Sequence, residues 1–431
     1  MSALERLLGE FAALGAPAGA QRAAAAALRA NGLPTRRDEN WHYADLRALE
    51  GVAQFRSAAP AKRDATLPPA LPLPLPEPLE GYTRLVYVDG VLSDSRSLQN
   101  SPTLTRLPLE SALAAQAAAT DYESSGDGRM GLIARMFAPD PLALQVTGSA
   151  ALEILHMASS GAANCHSHVS IDIAAGAHLT LVERQLGYPV AAAGSQPLAT
   201  LYCSSLELRL GAGAQLRHTR LQQAAGHSLR FNTLAADLAA DASYVLCQVA
   251  AGDGSERTTA LIRLRGRAAC VRTHTLAAAR GTQAADSQFT VVHDAPGTRS
   301  EQVFRGIASD RAHVSCSADV RAEASAPGAR VQQTLRGLID GQGAAVNLRP
   351  RLTINTDDIQ AQHGATTGRL DEDLLYYLLA RGLEPATARS LLKWALLGEV
   401  LAAIEPPALR RAAELAAAAQ LRDATATELL Q

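Results

Sequence analysis

The sequence predicts a mainly β protein with α-helical regions at both ends, and three observations carry that expectation. Short runs alternate apolar and polar residues between about 82 and 355, among them Tyr82–Val91, Leu179–Glu183, Leu206–Leu210, Tyr244–Val249, Leu261–Leu264 and Val314–Cys316. Small-residue corners recur between the runs: Ala175-Gly176-Ala177, Gly211-Ala212-Gly213-Ala214, Ala240-Asp241-Ala242, Arg265-Gly266-Arg267-Ala268, Pro327-Gly328-Ala329 and Gly341-Gln342-Gly343-Ala344. A tight corner excludes a bulky Cβ, and the strand after it turns alternate side chains inward. Both termini show helical spacing instead. The repeat suits a β-solenoid or a sandwich; the near absence of Asn-Gly hairpin signals favours parallel coils over a meander.

Taken in order, residues 1–57 form an N-terminal helical region. Ser2 and Glu5 fit a capping box, Leu4, Leu7, Leu8 and Phe11 follow at helical spacing, and a second helix stops at Asn31-Gly32. The segment Glu39–Leu46, with Trp41, His42 and Tyr43, reads as a helix docked on the body. Residues 58–81 form a proline-rich linker: Pro60, Pro68, Pro69, Pro72, Pro74, Pro76 and Pro78 favour an extended connector. Residues 82–368 are the β core. Residues 369–431 are helical: Asp371 caps one helix, Arg381-Gly382 ends it, Pro385 opens the next, and Glu405-Pro406-Pro407 separates that from an alanine-rich helix whose tail beyond Ala419 frays.

Composition excludes several function classes. Lys and Arg number 40 against 42 Asp and Glu, a formal charge of -2, so no general basic field serves nucleic acid or an anionic membrane. Aromatic residues are 4% of the chain, too few for base-stacking platforms. No apolar run is long enough to span a bilayer, and the N-terminal amphipathic helix is not a signal peptide; the expectation is a cytoplasmic protein. The 5 cysteines contain no Cys-x-x-Cys pair, so no dedicated zinc or self-contained iron–sulfur motif is visible. Neither a P-loop nor a Gly-x-Ser-x-Gly elbow occurs.

Two places carry chemistry. Paired acids, Asp357 and Asp358, precede a lone histidine, His363, in a small-residue turn that runs through Gly364 to Gly368. Neutral imidazole is a good borderline ligand for iron or zinc, and its remaining ligands must come from elsewhere in the fold or from another chain. The second place is His166-Ser167-His168 with Asp172. His-x-His on a strand puts both rings on one face, a near miss to a cupin metal site; the plainer expectation is a pair of surface histidines at a sheet edge. The alternative functions this keeps open are a cupin-like metal-dependent β-fold enzyme and a metal-free β-solenoid binding protein. In the C-terminal helices, Leu374, Leu375, Leu378, Leu379, Leu391, Leu392, Trp394, Leu396 and Leu397 exceed what one buried stripe needs, and the surplus reads as a docking patch.

The stretch Pro350-Arg351-Leu352-Thr353-Ile354, Asp357-Asp358-Ile359, His363-Gly364-Ala365-Thr366, Gly368, Leu370-Asp371, Tyr377-Leu378, Arg381-Gly382 and Glu399-Val400 closely resembles the C-terminal signature of the SufB/SufD family. Gln288, Thr290, His293, Pro296 and Ser300 resemble the family core, and Trp41-His42-Tyr43 resembles the N-terminal region of its SufD branch. The absence of cysteine from Thr334–Asp340 favours that branch. The resemblance implies a right-handed parallel β-helix between helical regions, and a non-catalytic scaffold in SUF iron–sulfur cluster assembly. It implies pairing with a SufB-like subunit, docking of the ABC-type ATPase SufC, and no tightly bound cofactor in the isolated chain, for which a homodimer is the form left open. It implies His363 as an iron or cluster ligand shared with the SufB-like partner, with Asp357, Asp358, Gly364, Asp371, Glu372, Leu375, Tyr377, Arg381 and Trp394 at interfaces. Some SufD relatives carry a cysteine two residues before the motif histidine; here that residue is Ala361.

Overall fold

The computed structural model describes residues 2–15, 17–44, 46–52, 54–57, 75–98, 101–108, 110–111, 127–157, 164–186, 200–223 and 228–430. Most of the predicted proline-rich linker, residues 58–74, lies outside them.

The β core is a solenoid of about 7 turns. With strands numbered along the chain, one sheet runs β19 (Ile359–Gly368), β17 (Ala329–Asp340), β15 (Arg299–Ser309), β13 (Cys270–Ala279), β11 (Ser243–Ala250), β9 (Gln215–Gln223), β7 (His178–Leu186), β5 (Ser149–Met157), β1 (Thr83–Val88), β2 (Val91–Leu98). The facing sheet runs β18 (Ala345–Ile354), β16 (His313–Ala322), β14 (Ala284–His293), β12 (Ser255–Leu264), β10 (Ser228–Leu238), β8 (Thr200–Leu210), β6 (Cys165–Ile173), β4 (Leu142–Val146), β3 (Leu104–Arg106). From β4 onward successive strands alternate between the sheets, and every pairing among them is parallel. Only β2 and β3, at one end of the coil, pair antiparallel. The sandwich alternative is thereby removed.

The corners explain the register. Gly176, Gly213, Asp241, Ala268, Gly297 and Gly328 all have positive φ, and they stack. Each donates its N–H to the next coil: Gly176 to Ala212, Gly213 to Ala240, Asp241 to Arg267, Ala268 to Pro296, Gly297 to Pro327 and Gly328 to Asp358, at 2.8–3.0 Å. A corner that satisfies its own amide in this way locks the strands on either side, so Gln215, Ser243, Cys270, Arg299, Arg330 and Gln360 lie in one column.

The interior is apolar toward these corners, with Leu181, Leu208, Leu246, Ile262 and Val291 packed together, and polar farther along the strands. There His218 accepts from the Tyr244 hydroxyl at 3.0 Å and donates through Nε2 to Glu183 at 2.9 Å, beside Arg220. Burial alone would raise the Glu183 carboxyl, but Arg220, His156 and His218 together hold it well below the usual carboxylate range. Gln185 and Ser204 both donate to Asn232, and Arg230 pairs with Glu256.

Helices cover both outer faces. Helix α1 (Ala3–Ala12) has the predicted capping box, Ser2 with Glu5, and α2 (Gly19–Asn31) ends at Gly32. They pack with a short α3 (Arg47–Glu50) and with α4 (Arg129–Phe137) against Leu201, Cys203, Leu229 and Phe231 on the outer face of the even-numbered sheet. Helix α4 lies within the stretch expected to be strands. Its nine residues are all buried, Arg129 and Arg135 included. Trp41, on a single 3₁₀ turn (Glu39–Trp41), is buried against Phe231, with the Arg257 guanidinium 3.8 Å from its ring.

At the other terminus, α5 (Glu372–Ala380), α6 (Pro385–Ala402) and α7 (Pro407–Leu421) follow, with α6 and α7 seated on the outer face of the odd-numbered sheet through Leu397, Val400, Leu401, Leu409 and Ala413. The tail does not fray as expected. Arg422 turns left-handed, Asp423 accepts from the Ala426 N–H, and α8 (Ala424–Leu430) packs back on α7.

Candidate functional site

His363 sits within β19, not in a turn. The small residues after it suggested a loop, but ten residues from Ile359 to Gly368 pair continuously with β17, and that ladder holds the glycines extended. The strand is exposed from Gln360 to Gly368, including His363. Beyond β19 its sheet has no further strand among the described residues, and the same holds for β18 in the facing sheet. The solenoid therefore ends in two open edges.

The register sets the direction in which His363 points. It pairs with Gln333, while Ala361 and Ala365 pair with Val331 and Leu335, whose side chains lie in the interior. Paired positions in adjacent strands face the same side. The imidazole thus projects from the inner face of the last coil, at the mouth of the solenoid. Outside, a groove of about 650 Å³ runs past the same strand, lined by Arg299, Arg330, Gln332, Gln360 and Gln362.

The paired acids do not join the histidine. Asp357 and Asp358 are exposed in the corner between β18 and β19, where the Asp358 carbonyl closes the corner ladder. His363 then lies five residue steps beyond Asp358, roughly 16 Å at the rise of an extended chain. Among the described residues, no three His, Cys, Asp or Glu side chains come together as a metal-binding group. His363 is thus a single donor, with no pair of further His, Cys, Asp or Glu side chains gathered around it among the described residues.

The histidines of β6 are buried. His166 and His168 share one face, as the strand period requires, but β6 lies between β4 and β8 and is no edge. Helix α4, unannounced by the sequence, covers that face. His166 Nε2 sits 2.6 Å from the Phe55 carbonyl oxygen, and burial lowers its pKa to about 4. His168 lies 3.8 Å from Glu207, and burial, with Arg135 and Arg209 nearby, lowers it well below its ordinary value. Asp172 is farther along the strand, paired with Arg209 at 3.0 Å in partial contact with solvent. The three expected ligands are not gathered. All 5 cysteines are free, and burial pushes the thiols of Cys165 and Cys316 well up and that of Cys247 to about 12.

The helical residues form a second exposed surface. Asp371 caps α5 by accepting from the Asp373 and Leu374 N–H groups at 3.0 Å. The helix closes in a Schellman motif, with Leu383 N–H to Leu378 O and Gly382 N–H to Leu379 O. Glu384 caps α6, with Pro385 at its first turn. No residue of α5 is buried: Leu374 is 52% exposed, Tyr376 74% and Tyr377 53%. Glu372 is exposed, Leu375 half-buried, and Arg381 lies over the Tyr377 ring at 5.1 Å. Trp394 is half-buried on α6, its indole donating to Asp423 at 2.9 Å. Sequence reading missed the anchors of this hairpin, Lys393 to Asp340 at 2.5 Å and Arg305 to Glu399, because long-range ion pairs leave no local pattern.

Known proteins are similar to this chain in sequence. Residues 156–396 match the family model described as SUF system FeS cluster assembly, SufBD core domain. The chain is 27% identical to the iron-sulfur cluster assembly protein SufD of Escherichia coli (strain K12), over 88% of this chain and 87% of that one. It is 25% identical to an iron-sulfur cluster assembly SufBD family protein of Synechocystis, over 86% and 83% of the two chains. A SufBD family protein of Mycobacterium tuberculosis is 27% identical over 58% of this chain and 65% of its own. The match covers the solenoid from the end of β5 through β19 and continues through α5 into α6, and this chain belongs to the SufB/SufD family of the SUF iron–sulfur cluster assembly system.

Proposed function

We propose that this chain is a SufD-like, non-catalytic scaffold that pairs with a SufB-like subunit, docks a SufC-type ABC ATPase, and presents His363 to a nascent iron–sulfur cluster at the subunit seam. The observation that carries this reading is the β19 edge. Edge strands are normally protected by lysine, proline or inward charges. The strand Ile-Gln-Ala-Gln-His-Gly-Ala-Thr-Thr-Gly from Ile359 to Gly368 has no lysine, proline or acid, and its row of backbone donors and acceptors is open. Such an edge favours addition of a strand from another chain, which would bring that chain's ligands beside His363.

The cluster is cargo here, not a resident cofactor. It must be held firmly enough to form and loosely enough to leave. A site divided between two chains meets both needs, because separating the subunits removes one chain's ligands at once. His363 contributes one neutral nitrogen donor; the thiolate or carboxylate donors come from the partner.

Helix α5, with Leu374, Tyr376 and Tyr377 unburied, is the proposed ATPase-docking surface. Helix α6 links it to the solenoid, so closure of a pair of ATPases on two such hairpins would pull on the strands that carry the seam. Co-expression of this chain with SufB-like and SufC-like subunits tests the reading. The expected result is a ternary complex in which His363→Ala leaves assembly of the subunits intact but no cluster forms; full cluster assembly by that variant contradicts it.

A further inference from the structure

We infer that Gln333 is a positioning residue for His363: its side-chain oxygen accepts the Nδ1 proton of the imidazole and so leaves Nε2 as the free donor. The inference rests on the reading of His363 as a ligand nitrogen, and goes beyond it by naming what orients the ring.

The argument starts from a column of paired residues. Thr273, Gln302, Gln333 and His363 stand in register on β13, β15, β17 and β19, all on the inner face. Adjacent positions in such a column lie about 4.8 Å apart. Gln302 and Gln333 are buried, 2% and 1% exposed. The Gln333 amide nitrogen donates to Gln302 Oε1 at 2.7 Å and to the Ala318 carbonyl at 2.7 Å. A main-chain carbonyl only accepts, so the orientation of this amide is fixed, with its nitrogen and not its oxygen on Ala318 and Gln302.

That oxygen, Gln333 Oε1, has no hydrogen-bond partner among the described residues. An orphaned buried acceptor is destabilising, so a donor that reaches it is favoured. The residue next in the column is His363, whose ring carries one N–H when neutral. Metal-binding histidines characteristically donate their second nitrogen to an oxygen, which fixes tautomer and ring plane. In the free chain the ring is exposed to solvent; covering the β19 edge with a second chain would exclude the competing water and seat the ring on Gln333.

The test uses the full chain, with ring-¹⁵N histidine, in complex with the SufB-like subunit and free of iron. Long-range ¹H–¹⁵N NMR of His363 reads the tautomer. The native complex is expected to hold His363 protonated at Nδ1. Gln333→Leu is expected to move the major proton to Nε2 and to weaken Co(II) binding at the seam 10- to 100-fold. Gln333→Glu, which keeps an acceptor oxygen, is expected to retain the Nδ1–H form. Gln302→Leu breaks the ladder one step below and serves as the packing control, with no expected change in tautomer. If Gln333→Leu leaves the tautomer unchanged, or if Gln302→Leu shifts it equally, the positioning role is wrong. If the tautomer responds to Gln333 but His363→Ala still assembles cluster, the positioning stands and the ligand reading falls.

Discussion

Arg305 on β15 forms an ion pair with Glu399 on α6, and the same guanidinium donates to the Thr334 carbonyl of β17 at 2.9 Å. One buried side chain thus ties the C-terminal hairpin to the strand that pairs with β19. Lys393 and Asp340 make a second tie between α6 and the end of β17. On the proposed docking of an ATPase at α5, these contacts would carry force from the hairpin to the strand beside His363.

Arg305→Ala should therefore uncouple docking from assembly. Removing this buried guanidinium breaks its bonds to the Phe304 and Thr334 carbonyls and to Glu399, and is expected to cost about 2–3 kcal/mol. Amide hydrogen exchange in α6 and α7 should rise while the β core stays protected. The ATPase should still co-purify, but cluster yield should fall; unchanged exchange in α6 would show that the tie is unimportant.

The β19 edge gives a cleaner substitution. A Cβ placed on Gly364 meets nothing within 4 Å, so Gly364→Lys should leave the stability of the isolated chain within about 0.5 kcal/mol. A lysine on an edge strand opposes strand addition. Pull-down with the SufB-like subunit should weaken at least about tenfold on that argument, with Tm unchanged, and undiminished pairing would remove β19 from the interface.

Helix α5 is tested in the same way. Tyr376→Glu with Leu374→Glu alters two exposed side chains and should leave thermal unfolding unaffected. Loss of the ATPase from the purified complex, with the SufB-like subunit retained, is the expected outcome. Retention of the ATPase would place its docking surface elsewhere.

Stability should fall on mild acidification. Burial lowers His166 and His293 from 6.5 to about 4. A histidine with a depressed folded pKa takes its proton more readily in the unfolded chain, so stability is fully present above about pH 6.5 and is lost as pH falls toward 4. Each contributes a loss on the order of 2 kcal/mol at pH 5. His293 bonds Thr298 and Ser300, both at 2.8 Å, so His293→Gln should keep the contacts and flatten the pH profile of urea unfolding. An equally steep profile in that variant would assign the loss to other groups.

Much of the fold was legible because it rests on local chemistry. The corners at Gly176, Gly213, Asp241 and Gly328 announce themselves by residue type, since left-handed backbone tolerates few others. Asp371, Gly382 and Pro385 mark helix ends for similar reasons. His363 was identified, but its setting was not. Gly364 to Gly368 look like a turn until a neighbouring strand pairs with them. That β19 is an edge depends on where pairing stops, which no local pattern encodes. Helix α4 escaped because its nine residues are a shorter window than helical spacing needs to stand out. Glu183, His218 and Arg220 stand in polar runs, Glu183-Arg184-Gln185 and Arg217-His218-Thr219-Arg220, that read as solvent-facing, yet they point into the coil and satisfy one another there.

The shared seam can be read directly from the electron spins of the cluster. Reconstituting the complex anaerobically with ¹⁵N-histidine in this chain alone, then recording pulsed EPR of the reduced cluster, reports any nitrogen ligand that the chain supplies. The account predicts a ¹⁵N coupling that vanishes in His363→Ala. A cluster with no coupling to this chain, or one that persists in the variant, would contradict it.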